Sequence, residues 1–304
     1  MNQRFLYKTP VIGLLTIMVM SMSSWVAAAP ITFNTALPVA EGQFIFREQF
    51  RWLRSSDDPS DADRDIRSVS AISVLGYGVN EKLAVFGVLP YVDTTLKVNS
   101  SGTRIERDNS GLGDVSAFAR YRLWRKDGPG RTTRLAGVGG LTAPTGDDDD
   151  SDNLGRLPPS LQNGSGAWDW FGALVASHQT LDYQFDGQIS YRDNREANGF
   201  EIGDEIQIDL SGQYRLWPRE LTGGVPGFLY GVLEINFLYQ DKNRLNGQSD
   251  ANSGGDTIWL SPGVQYVTRR WVLEAIVQKP VSQQLNGSAL KNDFIVTTSF
   301  RRNF

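Results

Sequence analysis

His178 is the only histidine of the 304 residues, and cysteine is absent. One candidate imidazole base therefore remains, while thiolate metal sites, a cysteine nucleophile, a disulfide framework and a His-rich metal cluster are excluded. Ser177 adjoins His178, but successive residues of a strand point to opposite faces. A nucleophile and its base must lie within hydrogen-bond reach, which this pair does not achieve in a regular strand. No Gly-x-Ser-x-Gly elbow follows residue 28. The sequence predicts no catalytic residue, no cofactor and no enzyme, with His178 in a satisfied or interfacial position.

Asp147, Asp148, Asp149 and Asp150, followed by Asp152, form the densest charge run. Clustered carboxylates can hold a divalent cation, and such a loop could share ions with anionic lipopolysaccharide. The run lacks the Gly-punctuated spacing of a calcium loop, however, and like charges in a polar loop extend into water. It reads as a solvated loop, and no metal ligand is assigned. Gly137-Val138-Gly139-Gly140 is the nearest approach to a phosphate-cradling loop. It lies inside a strand segment, where its small residues suit a wall rather than a nucleotide turn. No basic patch suits nucleic acid.

The elements around these residues follow from composition and periodicity. Lys+Arg number 30 against 34 Asp+Glu, mean hydropathy is -0.31, and the chain is rich in Gly, with 31. Those values argue against a polytopic helical membrane protein and favour many short strands and turns. Arg4 and Lys8 precede an apolar run from Val11 to Met20, and Ala27-Ala28-Ala29 stand before Pro30. This is the pattern of a secretory signal over residues 1–28, cleaved after Ala28. A short periplasmic segment, 29–41, is expected next, and then a single β-domain over 42–304.

In 204–216, Ile206, Ile208, Leu210, Gly212, Tyr214 and Leu216 share one face, and Glu205, Gln207, Asp209, Ser211, Gln213 and Arg215 the other. Segment 182–192 repeats this two-faced pattern. Similar segments span 42–54, 66–79, 82–98, 113–125, 131–145, 167–180, 183–193, 204–217, 227–240, 255–268, 271–283 and 291–304. Most reach the roughly 9–11 residues that a tilted strand needs to cross a hydrocarbon core. Twelve is an even number, as in single-chain outer-membrane barrels. Short connections alternate with long polar ones at 55–65, 99–112, 146–166, 194–203, 241–254 and 284–290. The fold class predicted is all-β, a transmembrane antiparallel up-and-down β-barrel of twelve strands. On the final strand Phe294, Val296, Thr298, Phe300 and the terminal Phe304 share the outward face, the pattern read by the outer-membrane barrel-assembly machinery.

If the apolar faces meet lipid, the opposite faces line a lumen. Its charged candidates are Arg47, Arg51, Arg120, Arg122, Asp186, Arg192, Asp209, Glu234 and Glu274. Charges buried without water or partners are very costly, so the interior is either water-filled or crossed by ion pairs. Glu48 and Asp169 set the two faces of their strands in conflict. Trp52, Trp124, Trp168, Trp170, Trp217 and Trp271 fall near strand ends, as interfacial girdles do.

Three ordered motifs carry a resemblance. Gly111-Leu112-Gly113-Asp114-Val115 opens the fourth strand, and Leu141-Thr142-Ala143-Pro144-Thr145-Gly146 closes the fifth. Ser261-Pro262-Gly263-Val264-Gln265-Tyr266 comes late, with Gln278-Lys279-Pro280 after it. Over roughly 80–304 the chain resembles the outer-membrane family named for the MetA pathway of phenol degradation. The resemblance implies a barrel in the outer membrane of a Gram-negative bacterium and uptake of small, often aromatic, hydrophobic compounds. Gly111, Gly113, Asp114, Pro144, Thr145, Gly146, Pro262, Gly263 and Pro280 read as structural, because Gly and Pro there ease or end strands.

The expected function is a channel for passive uptake of small, hydrophobic or aromatic compounds. Its expected partners are outer-membrane lipid, lipopolysaccharide, the assembly machinery and a small-molecule solute. A closed structural barrel displaying loops 146–166 and 241–254 is the first alternative. A soluble periplasmic all-β binding protein, its apolar faces forming a core, is the second.

Overall fold

The computed structural model of the chain describes residues 28–100, 102–221, 224 and 226–304. The secretory signal expected over 1–28 lies outside the described residues except for Ala28. Thirteen strands form one closed antiparallel sheet: β1 (Phe44–Ser55), β2 (Asp65–Gly78), β3 (Leu83–Ser100), β4 (Thr103–Leu112), β5 (Val115–Gly128), β6 (Arg131–Ala143) and β7 (Asp169–Thr180) lead. Then come β8 (Tyr183–Asp193), β9 (Glu205–Trp217), β10 (Phe228–Gln240), β11 (Gly255–Val267), β12 (Trp271–Leu285) and β13 (Phe294–Asn303). Each pairs with its neighbours in sequence except at β4, which pairs with β3 alone while β3 also pairs with β5, and β13 closes the ring on β1 with Glu48 opposite Phe300.

Two of these strands are lengths of one stave. The first part of β3 pairs with β5, through Leu83–Val88, and its last part with β4, through Tyr91–Ser100. Pro90 sits between the two pairings and has no amide to give the ladder, while its carbonyl accepts from the Gly113 amide at 2.9 Å. The barrel thus has twelve staves. The long loop expected over 99–112 is corrected: residues 103–112 are a strand, paired with the last part of β3. Their sequence TRIERDNSGL has no apolar face, so alternation gave no signal there.

The alternation points the way a membrane barrel requires. On β9, Leu210 is 56% exposed, whereas Asp209 is 0% exposed. Large apolar residues such as Leu75, Leu89, Phe185, Ile189, Leu233 and Val264 lie exposed around the outer wall. An apolar surface this extensive is unstable in water but suits hydrocarbon. The soluble alternative needed these faces to form a core; they face outward, which overturns it. Asp169 and Glu48 resolve to opposite sides. Asp169 is buried on the luminal row with Thr142, and Glu48 accepts from Ser73 Oγ at 2.6 Å on the outer one.

Short turns collect at one end and long loops at the other. The longest loop, 144–168, folds back over the barrel mouth. Leu157 and Leu161 bury against Leu96, Ile66 and Val98 on the inner faces of β2 and β3.

At the opposite end the periplasmic segment expected over 29–41 is also corrected. Residues 28–40 run inside the barrel. They are uncharged and largely buried, so the lumen satisfies their backbone better than a free position beside the barrel would.

Candidate functional site

The lumen is built by the inward rows of the staves, and its polar side chains are bonded across strands. Gln188 Nε2 donates to Asp209 Oδ2 at 3.0 Å, and Asn236 Nδ2 to Asp209 Oδ1 at 2.8 Å. Ser261 Oγ extends the row to Asn236 Oδ1 at 3.1 Å. Glu274 takes Gln265 Nε2 at 2.6 Å, together with Ser299 and Arg47. Such neighbours repay the desolvation of buried carboxylates.

The 28–40 segment threads through this lattice as a stopper. Ala28 packs by Tyr230, Val267 and Val272 near the short-turn end, and Ile31 lies on Val232 and Ile276. Glu234 receives the Ile31 amide at 2.7 Å, the Thr32 amide at 3.2 Å and the Thr32 hydroxyl. Arg47 donates to the Ile31 carbonyl at 2.8 Å and Arg120 to the Thr35 carbonyl at 3.0 Å. Thr35 Oγ1 donates to Asp186 at 3.1 Å, and the Ala36 amide to Ser177 Oγ at 2.8 Å. Ala36 seats against Ala136, Val138 and Val175. Acceptors on one wall and guanidinium groups on the other therefore hold both polarities of the segment's backbone.

Every charged residue named for the lumen lies on an inward row. Arg51 continues the row of Arg47 and Gln49 toward the long-loop end, where it stays exposed to luminal solvent. Arg122 sits near the short turns, 3.8 Å from Glu81, and Arg192 lies 5.1 Å over the Phe171 ring. Phe294, Val296, Thr298, Phe300 and Phe304 alternate with the buried Ile295, Thr297 and Ser299. Sequence reasoning missed Thr32, Thr35, Ser177 and Gln265 as stopper contacts. The one available signal was the uncharged run from Ala29 to Ala40.

Between the stopper and the wall of β1–β5 a cavity of about 530 Å³ remains, lined by Arg47, Gln49, Phe86, Phe118 and Arg120 among others. Outside, a depression of about 730 Å³ is floored by Ala117, Ala119, Gly139 and Gly172, and Phe86 and Phe118 line it too.

The recurring motifs meet at the β4–β5 break. Asp114 Oδ1 takes the amides of Thr145 and Gly146 at 3.0 and 2.9 Å, and Oδ2 takes the Ser165 amide and hydroxyl at 2.7 and 2.8 Å. Thr145 Oγ1 accepts the Val115 amide at 2.9 Å, and Pro144 directly follows the end of β6. A Cβ on Gly111 would lie 2.8 Å from Asn163 Nδ2, and one on Gly146 2.9 Å from the Asn163 carbonyl. Pro262 and Pro280 sit where the β11–β12 ladder skips, and a Cβ on Gly263 would lie 2.7 Å from the Ala275 carbonyl. The inward-folded loop is thus clamped at its root.

The acidic run is spent on the same loop. Asp150 accepts from Asn109 at 2.8 Å, Asp148 from Asn198, and Asp152 binds Arg107 through both oxygens at 2.7 Å. The Arg107 hydrogen bonds hold the Asp152 carboxyl below the usual carboxylate range. No cluster of three metal-ligating residues occurs among the described residues. Ser177 and His178 take opposite faces. Ser177 is buried beside Asp186, while His178 Nδ1 meets Thr133 Oγ1 at 2.7 Å on the outer side.

A family model described as "Putative MetA-pathway of phenol degradation" matches residues 60–284. Among solved structures the chain is similar to an outer-membrane channel of Pseudomonas putida F1. The TM-score is 0.68 at 16% identity, covering 91% of this chain and 100% of that one. The beta domain of the Bordetella autotransporter BrkA gives 0.47 at 13% identity, covering 87% and 100%. The CymD monoaromatic hydrocarbon channel gives 0.42 at 11%, covering 87% and 89%. No curated protein matches the chain.

Proposed function

The chain belongs to the family of the MetA pathway of phenol degradation, and from that premise we propose that it is a stoppered outer-membrane channel for passive uptake of small hydrophobic or aromatic compounds. The observation that carries this reading is a polar lumen closed by a segment held through hydrogen bonds and small apolar contacts. Its wall lattice, Gln188–Asp209–Asn236–Ser261, is bonded within itself besides meeting the segment at Gln188–Asn34 and Asn236–Thr32. Displacing residues 28–40 would therefore leave an intact, hydrated bore. The Pseudomonas relative is a channel in the outer membrane, which supports that setting here. Long loops then face outward toward lipopolysaccharide, and the outer face of β13, from Phe294 to Phe304, is the surface for the assembly machinery.

The test is conductance in planar bilayers. The full-length barrel is expected to pass rare, small events, and a barrel lacking residues 30–39 to show discrete steps. The Glu234→Ala variant removes the acceptor for two segment amides. Because hydrogen bonds to charged groups contribute about 1.5–3 kcal/mol each, opening should become at least about tenfold more frequent. A disulfide joining Ile31→Cys to Val232→Cys, in a chain with no other cysteine, should silence the channel until reduced. Silence from a folded, segment-deleted barrel would make it the closed structural barrel instead.

A second reading concerns the exit. Phe86 and Phe118 line both the luminal cavity and the outer depression, which favours lateral release of an apolar solute into the membrane. Ala119→Trp would fill the depression and is expected to slow uptake of an apolar solute without lowering conductance of the segment-deleted barrel. Equal uptake would overturn the lateral route.

A further inference from the structure

Above the barrel mouth the loops 144–168, 194–204 and 241–254 enclose a cavity of about 240 Å³ that shares no lining residue with the luminal one. The volume falls below the roughly 300–1,000 Å³ of pockets for drug-sized ligands and is suited to a single ring. One side is apolar: Leu157 is buried, and Phe200, Ile202 and Leu245 stand around it. Phe200 is fixed by a two-residue turn at Asn198-Gly199, both at positive φ, and by pairing with Leu245 in a small three-stranded sheet. Asn-Gly is the pair such a turn favours. These apolar side chains are held apart by the loops, leaving open space that they do not fill themselves.

The other side carries acceptors. Asp169 and Asn194 are 5% and 7% exposed. Asp169 Oδ1 takes the Arg195 amide at 2.9 Å, and Asn194 gives its Nδ2 to the Gly203 carbonyl at 2.9 Å. Their remaining oxygens, Asp169 Oδ2 and Asn194 Oδ1, take no hydrogen bond from the described residues. The guanidinium groups on the rim are committed, Arg195 to Asp193 and Arg156 to the Asp148 carbonyl. Acceptors set in an apolar pocket favour a ligand that brings a donor, and a lining with two carboxylates, Asp148 and Asp169, and two guanidinium groups, Arg156 and Arg195, carries no net charge to draw an anion.

We infer that this cavity is an external recognition site for a neutral single-ring compound bearing a hydroxyl group, capturing it before it enters the lumen. The inference rests on the uptake reading and adds the place and chemistry of first contact. The test is titration of the full-length barrel in amphipol with phenol, anisole and benzoate, in parallel with Phe200→Ala and Ile202→Trp. A protein-free amphipol blank is subtracted for each compound, because the three partition into amphipol to different extents. Phenol is expected to bind at least about tenfold more tightly than anisole, which lacks the donor, or benzoate, which is charged. Both variants should lose that binding. Ile202 is a partly exposed lip residue, so Ile202→Trp tests the pocket even if Phe200→Ala fails to fold. Equal binding of phenol and anisole, or unchanged binding in Ile202→Trp, would overturn the site. Conductance of the segment-deleted barrel is read separately. Steps without phenol binding would leave the channel and remove the pocket, while binding without steps would do the reverse.

Discussion

Asp114 receives four hydrogen bonds from three residues of one loop. Its removal would leave the amides of Gly146 and Ser165 without their acceptor, while the Thr145 amide keeps the Ala143 carbonyl at 2.8 Å. At about 1–3 kcal/mol for a donor stranded on burial, Asp114→Ala is expected to free the 144–168 loop while the wall stays closed. Limited proteolysis is the measurement: cleavage within 147–160 should rise, with the heat-modifiable barrel band retained. Unaltered cleavage would mean that Leu157 and Leu161, buried on Leu96, hold the loop by themselves. The same residue shows what the motif spacing meant. Gly-Leu-Gly-Asp and Ala-Pro-Thr-Gly lie about thirty residues apart in sequence and form one joint.

Among the elements, the loops are fastened to each other as firmly as to the strands. Between β1 and β2, Asp58 holds Arg64 through Nε at 2.9 Å and Nη2 at 2.7 Å, and the Arg64 amide at 2.7 Å. The Arg64 hydrogen bond drives the Asp58 carboxyl far below the usual carboxylate range, outweighing the opposing effect of burial. A folded-state value below the unfolded one means stability that is complete above the unfolded value, about pH 4. It is lost as pH falls through the depressed value. Hydrogen exchange of the 56–64 amides, corrected for intrinsic rates, should therefore stay flat from pH 7 to about pH 4. Asp58→Asn should raise exchange already at neutral pH. Acceleration between pH 7 and 5 in the unaltered protein would contradict the assignment.

For the whole molecule, the decisive quantity is the polarity of its two surfaces. Leu210 lies midway along β9 with its side chain outward. In a membrane barrel, Leu210→Arg should cost about 2–4 kcal/mol near the bilayer midplane, measured by reversible unfolding in lipid vesicles. A cost near zero would show that this face does not meet hydrocarbon. The lumen makes the complementary case: Asp209, Glu234 and Gln265 are wholly buried, yet each has partners across strands or on the stopper. Closure from both ends, by the 28–40 segment and the 144–168 loop, leaves a chamber rather than an open bore.

The sequence by itself determined what repeats along the chain. Alternation over segments such as 204–216 set which residues face lipid, and the short and long connections set the stave count and the two ends. These are local properties, fixed by the two-residue period of a strand. It also disclosed the joint-forming glycines and Asp114, though not what they join. Only the tertiary structure decided how the lumen is filled. Residues 28–40 have no alternation, and their partners Ser177, Gln188, Glu234 and Gln265 lie roughly 140–240 positions away. The strand Thr103–Leu112 was hidden because neither of its faces is apolar, so the two-residue period left no mark in the sequence. The ring-sized cavity was hidden too, since its walls come from three loops whose meeting depends on closure of the barrel beneath them.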